Sequence, residues 1–459
     1  MKTLEFGRRI IPSTSKELVL MPEIPAPEEQ ASVFGREDLK ERVRAKLISR
    51  IDPAVAGQIP RRALQAEVAQ LVSTIATEEK LQLNEAEQAL LAAELTDDMT
   101  GLGPLEPLLH DDEVTDILVN GPYDIYIERH GKLEKTAARF RDAEHVVNVA
   151  QRIATAVGRR VDESSPLVDA RLADGSRVNI VFPPLCLNGG TVSIRKFSKK
   201  NITLETMVHQ GNLSVEMAQF LDLAARCRVN ILISGGTGSG KTTLLNAVSR
   251  HIAGDERVFT IEDAVELQLQ QPHVVQLESR PPNIEGAGAI PQRELVRNAL
   301  RMRPDRIIVG EVRGNEAFDM LQAMNTGHDG SMSTIHANTP RDALFRLENM
   351  VLMAAANLPL RALRAQIASA INIIVQIERM RDGIRRVERI CEISGMEGEV
   401  ISLRDLFTFQ YRGDGHAGFI DGTFEPSRLR PDLAARAAQY GLEKQVLASV
   451  GITGLAIVT

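Results

Sequence analysis

A glycine-rich segment of eight residues constrains the fold of this 459-residue chain more than any other feature. Residues 235–242 have the pattern G-x-x-x-x-G-K-[ST] and directly follow an apolar run at 229–233. Residues 244–248 continue the pattern of a helix. Glycines allow consecutive backbone N–H groups to point inward around a phosphate, and the following helix presents its positive end to it. The segment therefore predicts a buried strand, a phosphate-binding loop and a helix, the Walker A arrangement.

The same residues predict ATP and Mg²⁺ as cofactors. In this pattern Lys241 bridges the phosphate charges, and the Thr242 hydroxyl can bind Mg²⁺. The predicted nucleotide-binding residues of the loop are Gly235, Gly236, Thr237, Gly238, Ser239, Gly240, Lys241, Thr242 and Thr243.

Composition excludes several classes of protein. With 43% hydrophobic residues the chain can bury more than one core, and its length suggests about three domains. It has no run of about 18 apolar residues and no apolar signal core near its start, so we expect a cytoplasmic protein without a membrane span or secretory leader. The three cysteines are far apart, which argues against a disulfide framework or a thiolate zinc site. A net charge of −7 provides no general attraction to nucleic acid, although arginines cluster between Arg293 and Arg313.

The pattern of apolar residues predicts four segments. Residues 1–35 are rich in Pro, Glu and Ser and predict a flexible N-terminal arm. Residues 36–100 have apolar residues at helical spacing and predict a three-helix bundle. Residues 101–200 predict an α+β domain that contains a hairpin, and residues 201–459 predict a parallel α/β core with a C-terminal extension.

Individual elements follow from the same patterns. The hairpin joins 114–119 to 125–127, and a helix is expected at 146–157. The predicted core strands are 229–233, 257–261, 307–309 and 371–377. Gly, Arg and Pro turns after Gly395 predict only a few short strands there, followed by a closing helix near 433–440.

Acidic residues follow two of the predicted core strands. Glu262, Asp263 and Glu266 come directly after the strand at 257–261, where ligands bind in open α/β folds. These acids can polarise water or hold Mg²⁺ through water, although a solvated acidic turn would have the same composition. The strand at 307–309 leads to Glu311, which gives an element resembling Walker B.

Two histidines lie in a polar, glycine-rich stretch further along the chain. His328 and His336 are eight residues apart, and either side chain can reach a γ-phosphate if the stretch lies beside the loop. Histidines at such positions also fill structural roles.

The four elements, in this order, resemble the secretion ATPase family of type II and type IV systems and type IV pili. That family carries a Walker A loop, an Asp box, an atypical Walker B element and a His box, and the resemblance covers residues 110–400. The segments 101–105, 279–286 and 393–398 look most like the CpaF-like ATPases of the Tad/Flp pilus branch. The resemblance implies an α/β fold, with a RecA-like P-loop ATPase core preceded by the α+β domain and the three-helix bundle.

The resemblance also implies residue roles. Lys241 and Thr242 would bind phosphate and Mg²⁺, Glu266 would orient or activate water, Glu311 would serve the metal, and His336 would sense phosphate. Glu262 and His328 are second choices. Arginines that approach the γ-phosphate accelerate phosphoryl transfer. The candidates are Arg195, Arg171 and Arg177 in the preceding domain, with Arg297, Arg301 and Arg303 as a second set; each is equally consistent with a surface ion pair.

As a member of this family the chain would be a cytoplasmic, hexameric motor ATPase that lies peripheral to the inner membrane and powers pilus assembly or secretion. Its partners would be its own copies, pilus platform proteins of the inner membrane, pilins indirectly, and a regulator at the N-terminal bundle. Two alternatives stay open. One is a conjugation-type motor that translocates DNA, although aromatics are only 4% of the residues and nucleic acid is not the expected partner. The other is a nucleotide-gated scaffold without turnover.

Overall fold

The computed structural model describes residues 42–47, 59–81, 83–129, 131–187, 189–197, 202–282, 286–415 and 418–452. The predicted arm at 1–35 lies outside these residues. No helix among them is long and apolar enough to cross a membrane.

Helices pack together in the part of the chain before residue 101. Residues 42–47 are helical, and they are followed by α1 (Arg61–Glu78) and α2 (Glu85–Thr100). Asn84 and Glu87 form a capping box at the start of α2, which satisfies backbone N–H groups that the helix itself leaves free. Val43, Leu64 and Leu95 are fully buried in a shared apolar cluster.

A six-stranded sheet follows, with one long helix packed against it. The predicted hairpin is present, with β1 and β2 antiparallel. The strand order is β3-β2-β1-β6-β5-β4, and every neighbouring pair is antiparallel. Val149 and Ile153 of the helix share a core with Ile117 and Ile194 of the sheet. The elements are α3 (Glu106–His110), β1 (Val114–Asn120), β2 (Ile125–Arg129), β3 (Lys132–Lys135), α4 (Ala143–Ala156), β4 (Leu167–Arg171), β5 (Arg177–Val181) and β6 (Thr191–Arg195).

A nine-stranded sheet forms the rest of the fold, in the order β15-β14-β13-β12-β7-β11-β10-β8-β9. The six strands β12, β7, β11, β10, β8 and β9 are parallel to their neighbours in this order. The strands β12, β13, β14 and β15 pair with one another in antiparallel fashion. Its strands are β7 (Ile231–Gly235), β8 (Val258–Glu262), β9 (Val274–Glu278), β10 (Arg306–Val312), β11 (Met332–His336), β12 (Ile373–Arg379), β13 (Arg385–Glu397), β14 (Val400–Asp414) and β15 (Ile420–Pro426). Its helices are α5 (Leu204–His209), α6 (Val215–Arg226), α7 (Lys241–Ser249), α8 (Gln292–Ala299), α9 (Glu316–Asn325), α10 (Pro340–Ala354), α11 (Leu360–Ala370), α12 (Leu433–Ala438) and α13 (Glu443–Ser449).

Helices cover both faces of the parallel part of this sheet. Ile231 and Ile233 pack into one apolar cluster, and Leu232 packs into the other, because successive side chains of a strand point to opposite faces. All five residues of β7 are buried, which is typical of a central parallel strand. The loops that leave the carboxyl ends of β7, β8, β10 and β11 therefore lie at one edge.

The expectation of short strands after Gly395 is wrong. β13 has 13 residues and β14 has 15, and they form a long antiparallel pair. Gly395 does not end β13, because it lies at a shift in register between the two strands with a φ of 106°. Glycine is favoured at such bulges, so a glycine that indicates a turn in the sequence is here an interruption inside a strand. The closing helix is present as α12, and α13 follows it.

Candidate nucleotide-binding site

The glycine-rich loop connects β7 to α7 with the backbone that its sequence requires. Gly238 and Gly240 have φ angles of 67° and 97°, a region that glycine adopts without strain. At Gly235 a Cβ atom would lie 2.3 Å from the carbonyl oxygen of Ile377, so the loop leaves the sheet where only glycine fits. α7 then begins at Lys241.

The ammonium group of Lys241 lies over the loop. Its Nζ donates hydrogen bonds to the carbonyl oxygens of Gly235 at 3.0 Å and Gly236 at 2.9 Å. Burial lowers the pKa of Lys241, and the nearby Arg313 and Arg195 lower it further, whereas Glu311 opposes them. A phosphate beside this lysine would restore the favourable charge balance.

Glu262 is the last residue of β8 and is almost completely buried. Its Oε2 accepts hydrogen bonds from the backbone N–H groups of Glu266 at 2.8 Å and Leu267 at 3.1 Å. Its Oε1 is buried and has no hydrogen-bond partner among the described residues. Burial raises the pKa of Glu262 to about 7. This carboxyl group can therefore hold or release a proton near neutral pH.

Glu311 on β10 and His336 on β11 lie at the same edge of the sheet as the loop. Arg313 donates a hydrogen bond to the Oε2 of Glu311 at 2.8 Å, and its guanidinium also lies 3.8 Å from Asp263. His336 ends β11, directly beside Gly235 of β7. Burial lowers the pKa of His336, and the positive charge of Lys241 adds to that effect. The neutral imidazole is favoured here.

The hairpin formed by β4 and β5 contacts the loop after β8. Arg177 lies 3.3 Å from the Oε1 of Glu266, and it donates a hydrogen bond to the carbonyl oxygen of Ala264 at 2.7 Å. Arg171 donates to Glu278 at 2.6 Å and to the carbonyl oxygen of Val265 at 2.7 Å. The six-stranded sheet thus holds the acidic loop of the nine-stranded sheet through two arginines.

These groups surround a cavity of about 190 Å³. It brings together most of the predicted site residues, with two arginines from the six-stranded sheet and all four carboxylates from the nine-stranded sheet. The predicted residues in its lining are Arg177, Arg195, Thr237, Gly238, Ser239, Gly240, Lys241, Thr242, Thr243, Glu262, Asp263, Glu266, Glu311 and His336. The arrangement suits a polyphosphate with a bound cation.

Residues 98–401 match the family described as Type II/IV secretion system protein. This chain belongs to that family. A Mycobacterium tuberculosis protein provisionally named for conjugal transfer is 40% identical over 312 residues, which cover 67% of this chain and 88% of the relative. The type IV secretion system protein VirB11 of Bartonella quintana is 32% identical over 333 residues, 63% of this chain and 91% of the relative. The crystal structure of the VirB11 ATPase from the Brucella suis type IV secretion system, in complex with sulphate, is 30% identical, with a TM-score of 0.35, and covers 63% of this chain and 95% of that one.

The predicted α/β fold is confirmed, because helices cover both faces of the parallel part of the nine-stranded sheet. Membership in the type II/IV secretion family is likewise confirmed, since the family match includes all four predicted elements. The two relatives above are named for conjugal transfer and type IV secretion, and the family match does not single out the Tad pilus branch.

Some predicted site residues lie elsewhere. His328 precedes β11 at the amino edge of the sheet, and its ring lies 3.2 Å from the carbonyl oxygen of Ala323, so it does not line the cavity. Arg171 contacts the loop after β8 rather than the cavity. The second set, Arg297, Arg301 and Arg303, is also absent from the lining, and Arg297 lies 3.9 Å from Asp319.

Sequence reasoning missed three residues of the site. Arg313 lines the cavity, and its position two residues after Glu311 was the available signal. Gln292 begins α8 and lines the cavity with a buried Oε1 that has no partner among the described residues. Arg385 of β13 donates a hydrogen bond to the carbonyl oxygen of Gly238 at 2.8 Å. It lies 147 residues along the chain from the loop, so no local pattern could have identified it.

Proposed function

We propose that this chain is a motor ATPase that hydrolyses ATP to power Tad/Flp-type pilus assembly or secretion across the inner membrane. The observation that carries the proposal is the single cavity in which the phosphate loop faces four carboxylates, while Arg177 and Arg195 approach from the six-stranded sheet. A hydrolytic site needs cations around the phosphates and an acid near the attacking water. A nucleotide-gated scaffold needs only the loop.

The chemistry of each side chain indicates its role in binding the nucleotide and the metal. Lys241 and the backbone N–H groups of the loop would bind the phosphates. Thr242 and Glu311 would hold Mg²⁺, which keeps several waters, prefers oxygen ligands and neutralises phosphate charge. Among the described residues no group of three or more His, Cys, Asp or Glu side chains forms a metal cage, and a hydroxyl and a carboxylate beside phosphate oxygens suit Mg²⁺ better than such a cage would.

The acidic residues at the end of β8 and in the loop after it would activate the attacking water. Glu266 is half-buried and is oriented by Arg177, whose guanidinium lies 3.3 Å away, so we assign it the role of orienting or activating water. Glu262 is the second choice because its carboxyl group exchanges a proton near neutral pH. His336 would report the presence of phosphate through its position at the end of β11.

The motor would act as a homohexamer. Arg195 lines the cavity with an exposed side chain, and exposed arginines there can approach a nucleotide as neighbouring subunits close. Platform proteins of the inner membrane would receive the motion, pilins would be moved indirectly, and the helices before residue 101 would receive a regulator. The motor would be cytoplasmic and peripheral to that membrane.

Two substitutions test the assignment of the site. Lys241→Ala should remove ATP turnover, because the phosphates lose their main cation. Glu311→Gln should leave ATP bound but unhydrolysed, because the metal loses a charged ligand. Lys444→Ala, at an exposed lysine of α13, is the matched control for the loss of a positive charge. Near-normal turnover in either site variant would overturn the assignment.

Turnover per subunit should also be measured across a wide range of protein concentration at saturating Mg-ATP. A rise followed by a plateau would support a site completed between subunits. A constant rate per subunit would mean that one chain carries a complete site. If platform membranes are added and turnover is still absent at every concentration, the scaffold without turnover becomes the better explanation.

A DNA-translocating motor of the conjugation type is the second candidate, because the Mycobacterium tuberculosis relative is named for conjugal transfer. Three arginines of the cluster are already engaged by carboxylates. Arg293 is bonded to Asp319 at 2.7 Å, Arg306 is fully buried against Glu256, and Arg313 is bonded to Glu311. The test is DNA-stimulated turnover with a steep dependence on salt. Its presence would favour the DNA motor, and its absence the pilus or secretion motor.

A further inference from the structure

A second and larger cavity, of about 550 Å³, lies far from the glycine-rich loop in sequence. It is formed between the helices before residue 101 and the outer side of α4. Its polar lining includes Arg44, Asp98, Arg141, His145, Gln151 and Arg152.

The lining carries an excess of positive charge. Among the described residues, three arginines face the cavity and Asp98 is the only carboxylate of its lining. Asp98 lies 3.7 Å from Arg44 and 3.7 Å from the Nε2 of His145, so it partly balances one arginine. Arg141 also donates a hydrogen bond to Asp142 at 2.9 Å, outside the lining. Arg152 has no carboxylate within ion-pair distance among the described residues.

Arg152 is the least satisfied of these cations. Its Nη1 donates to the carbonyl oxygens of Asp98 at 3.1 Å and Met99 at 3.4 Å. Its Nε and Nη2 are buried and have no hydrogen-bond partner in the part of the chain that the structure describes. A buried charged donor without an acceptor costs free energy, so such groups normally have a partner.

His145 provides a second, independent observation. Its side chain is only 5% exposed, and its Nε2 is buried with no hydrogen-bond partner among the described residues. The ring is held on its other side, where it packs edge-on against Phe140 at 5.2 Å between ring centroids. Two residues on one face of α4 thus line the same cavity, and each has buried nitrogen atoms without acceptors among the described residues.

We propose that this cavity binds a small, multiply charged anion that carries phosphate or carboxylate groups. The planar guanidinium of Arg152, whose Nε and Nη2 have no acceptor among the described residues, matches the paired oxygens of either group. Arg44 and Arg141 supply further positive charge at the same cavity. Its volume falls in the range of roughly 300 to 1,000 Å³ that is typical of small-molecule sites.

Binding there would link two parts of the fold. Arg44 and Asp98 belong to the helices before residue 101, whereas His145 and Arg152 belong to α4. An anion that contacts both would stabilise their packing, because a ligand that binds only the folded arrangement favours it by mass action. The packing of the helices would then depend on the concentration of the anion, whereas the phosphate loop would not respond to it.

The experiment titrates inorganic pyrophosphate and, separately, citrate into the full chain by calorimetry. The Lys241→Ala background removes the contribution of the phosphate loop. We expect this variant to bind one equivalent of at least one anion and to melt at a higher temperature in its presence. Binding of pyrophosphate alone identifies a phosphate ligand, and binding of citrate alone identifies a carboxylate ligand.

Arg152→Gln added to this background should weaken binding at least tenfold. Arg159→Gln makes the same charge change at an exposed arginine just beyond α4 and should have no effect. If Arg152→Gln fails to fold, Gln151→Glu tests the proposal instead. It places a negative charge, which repels an anion, at an exposed position of the lining, and it should also weaken binding tenfold. The proposal is overturned if neither anion binds to Lys241→Ala, or if the Arg159 variant loses as much affinity as the lining variants.

Discussion

Glu262→Gln should stabilise the protein at alkaline pH and have little effect at acid pH. Burial raises the pKa of this carboxyl group from its usual value of 4.5 to about 7. The folded protein therefore binds a proton more readily than the unfolded chain between these two values. The free energy of unfolding contributed by Glu262 is greatest below pH 4.5, falls as the pH rises to about 7, and is constant above that.

The size of the effect follows from the same difference. At 1.36 kcal/mol for each pKa unit, ionised Glu262 costs the fold about 3 kcal/mol above pH 7. Glutamine removes this cost because it is neutral at every pH. Its oxygen can accept the N–H groups of Glu266 and Leu267, and its NH₂ group would occupy the position of the unpartnered Oε1.

Calorimetric melting of wild type and Glu262→Gln at pH 5 and pH 8.5 measures the difference. Other titrating groups contribute equally to both proteins and cancel in the comparison. We expect the variant to gain about 2 to 3 kcal/mol more at pH 8.5 than at pH 5, a rise of roughly 5 to 10 °C in the melting temperature of the domain. Glu266→Gln makes the same charge change at a half-buried neighbour and controls for long-range charge effects. A gain of equal size at both pH values, or a loss that grows with pH, would refute the reasoning.

Two further predictions concern arginines outside the phosphate loop. Arg306→Met should lower the free energy of unfolding by about 3 to 5 kcal/mol, because it leaves Glu256 as a buried charge without its main partner. In the wild type the guanidinium donates two hydrogen bonds of 2.6 Å to this carboxylate. Urea unfolding measures the loss, and a change below about 1 kcal/mol would contradict the prediction. Arg171→Gln should leave the phosphate loop intact but loosen the contact between the two sheets. ATP should therefore still bind while turnover falls, and limited proteolysis should cut more readily near Glu278; unchanged cleavage and turnover together would argue against a role for this contact.

Local sequence was sufficient for the phosphate loop and for the strands that lead to the catalytic candidates. β7, the loop and α7 occupy the predicted places because the glycine pattern, the buried strand and the helix signals all act within about twenty residues. Glu262 and Glu311 were found for the same reason, since the carboxyl ends of parallel strands share one edge of a sheet. The long hairpin of β13 and β14 was missed because the glycine at a bulge has the same sequence signal as a glycine at a turn.

Only the tertiary structure determines which charged side chains pair with one another. The arginines between Arg293 and Arg313 form one cluster in sequence, yet Arg306 is buried against Glu256, and Arg313 faces the cavity beside Glu311. Arg385 reaches the phosphate loop from a strand 147 residues away. The sequence by itself determined the loop, its helix and the strands with their acidic ends, because hydrogen bonding and apolar periodicity act over a few residues. The pairing of charges depends on distances across two packed sheets, and only the folded chain sets those distances.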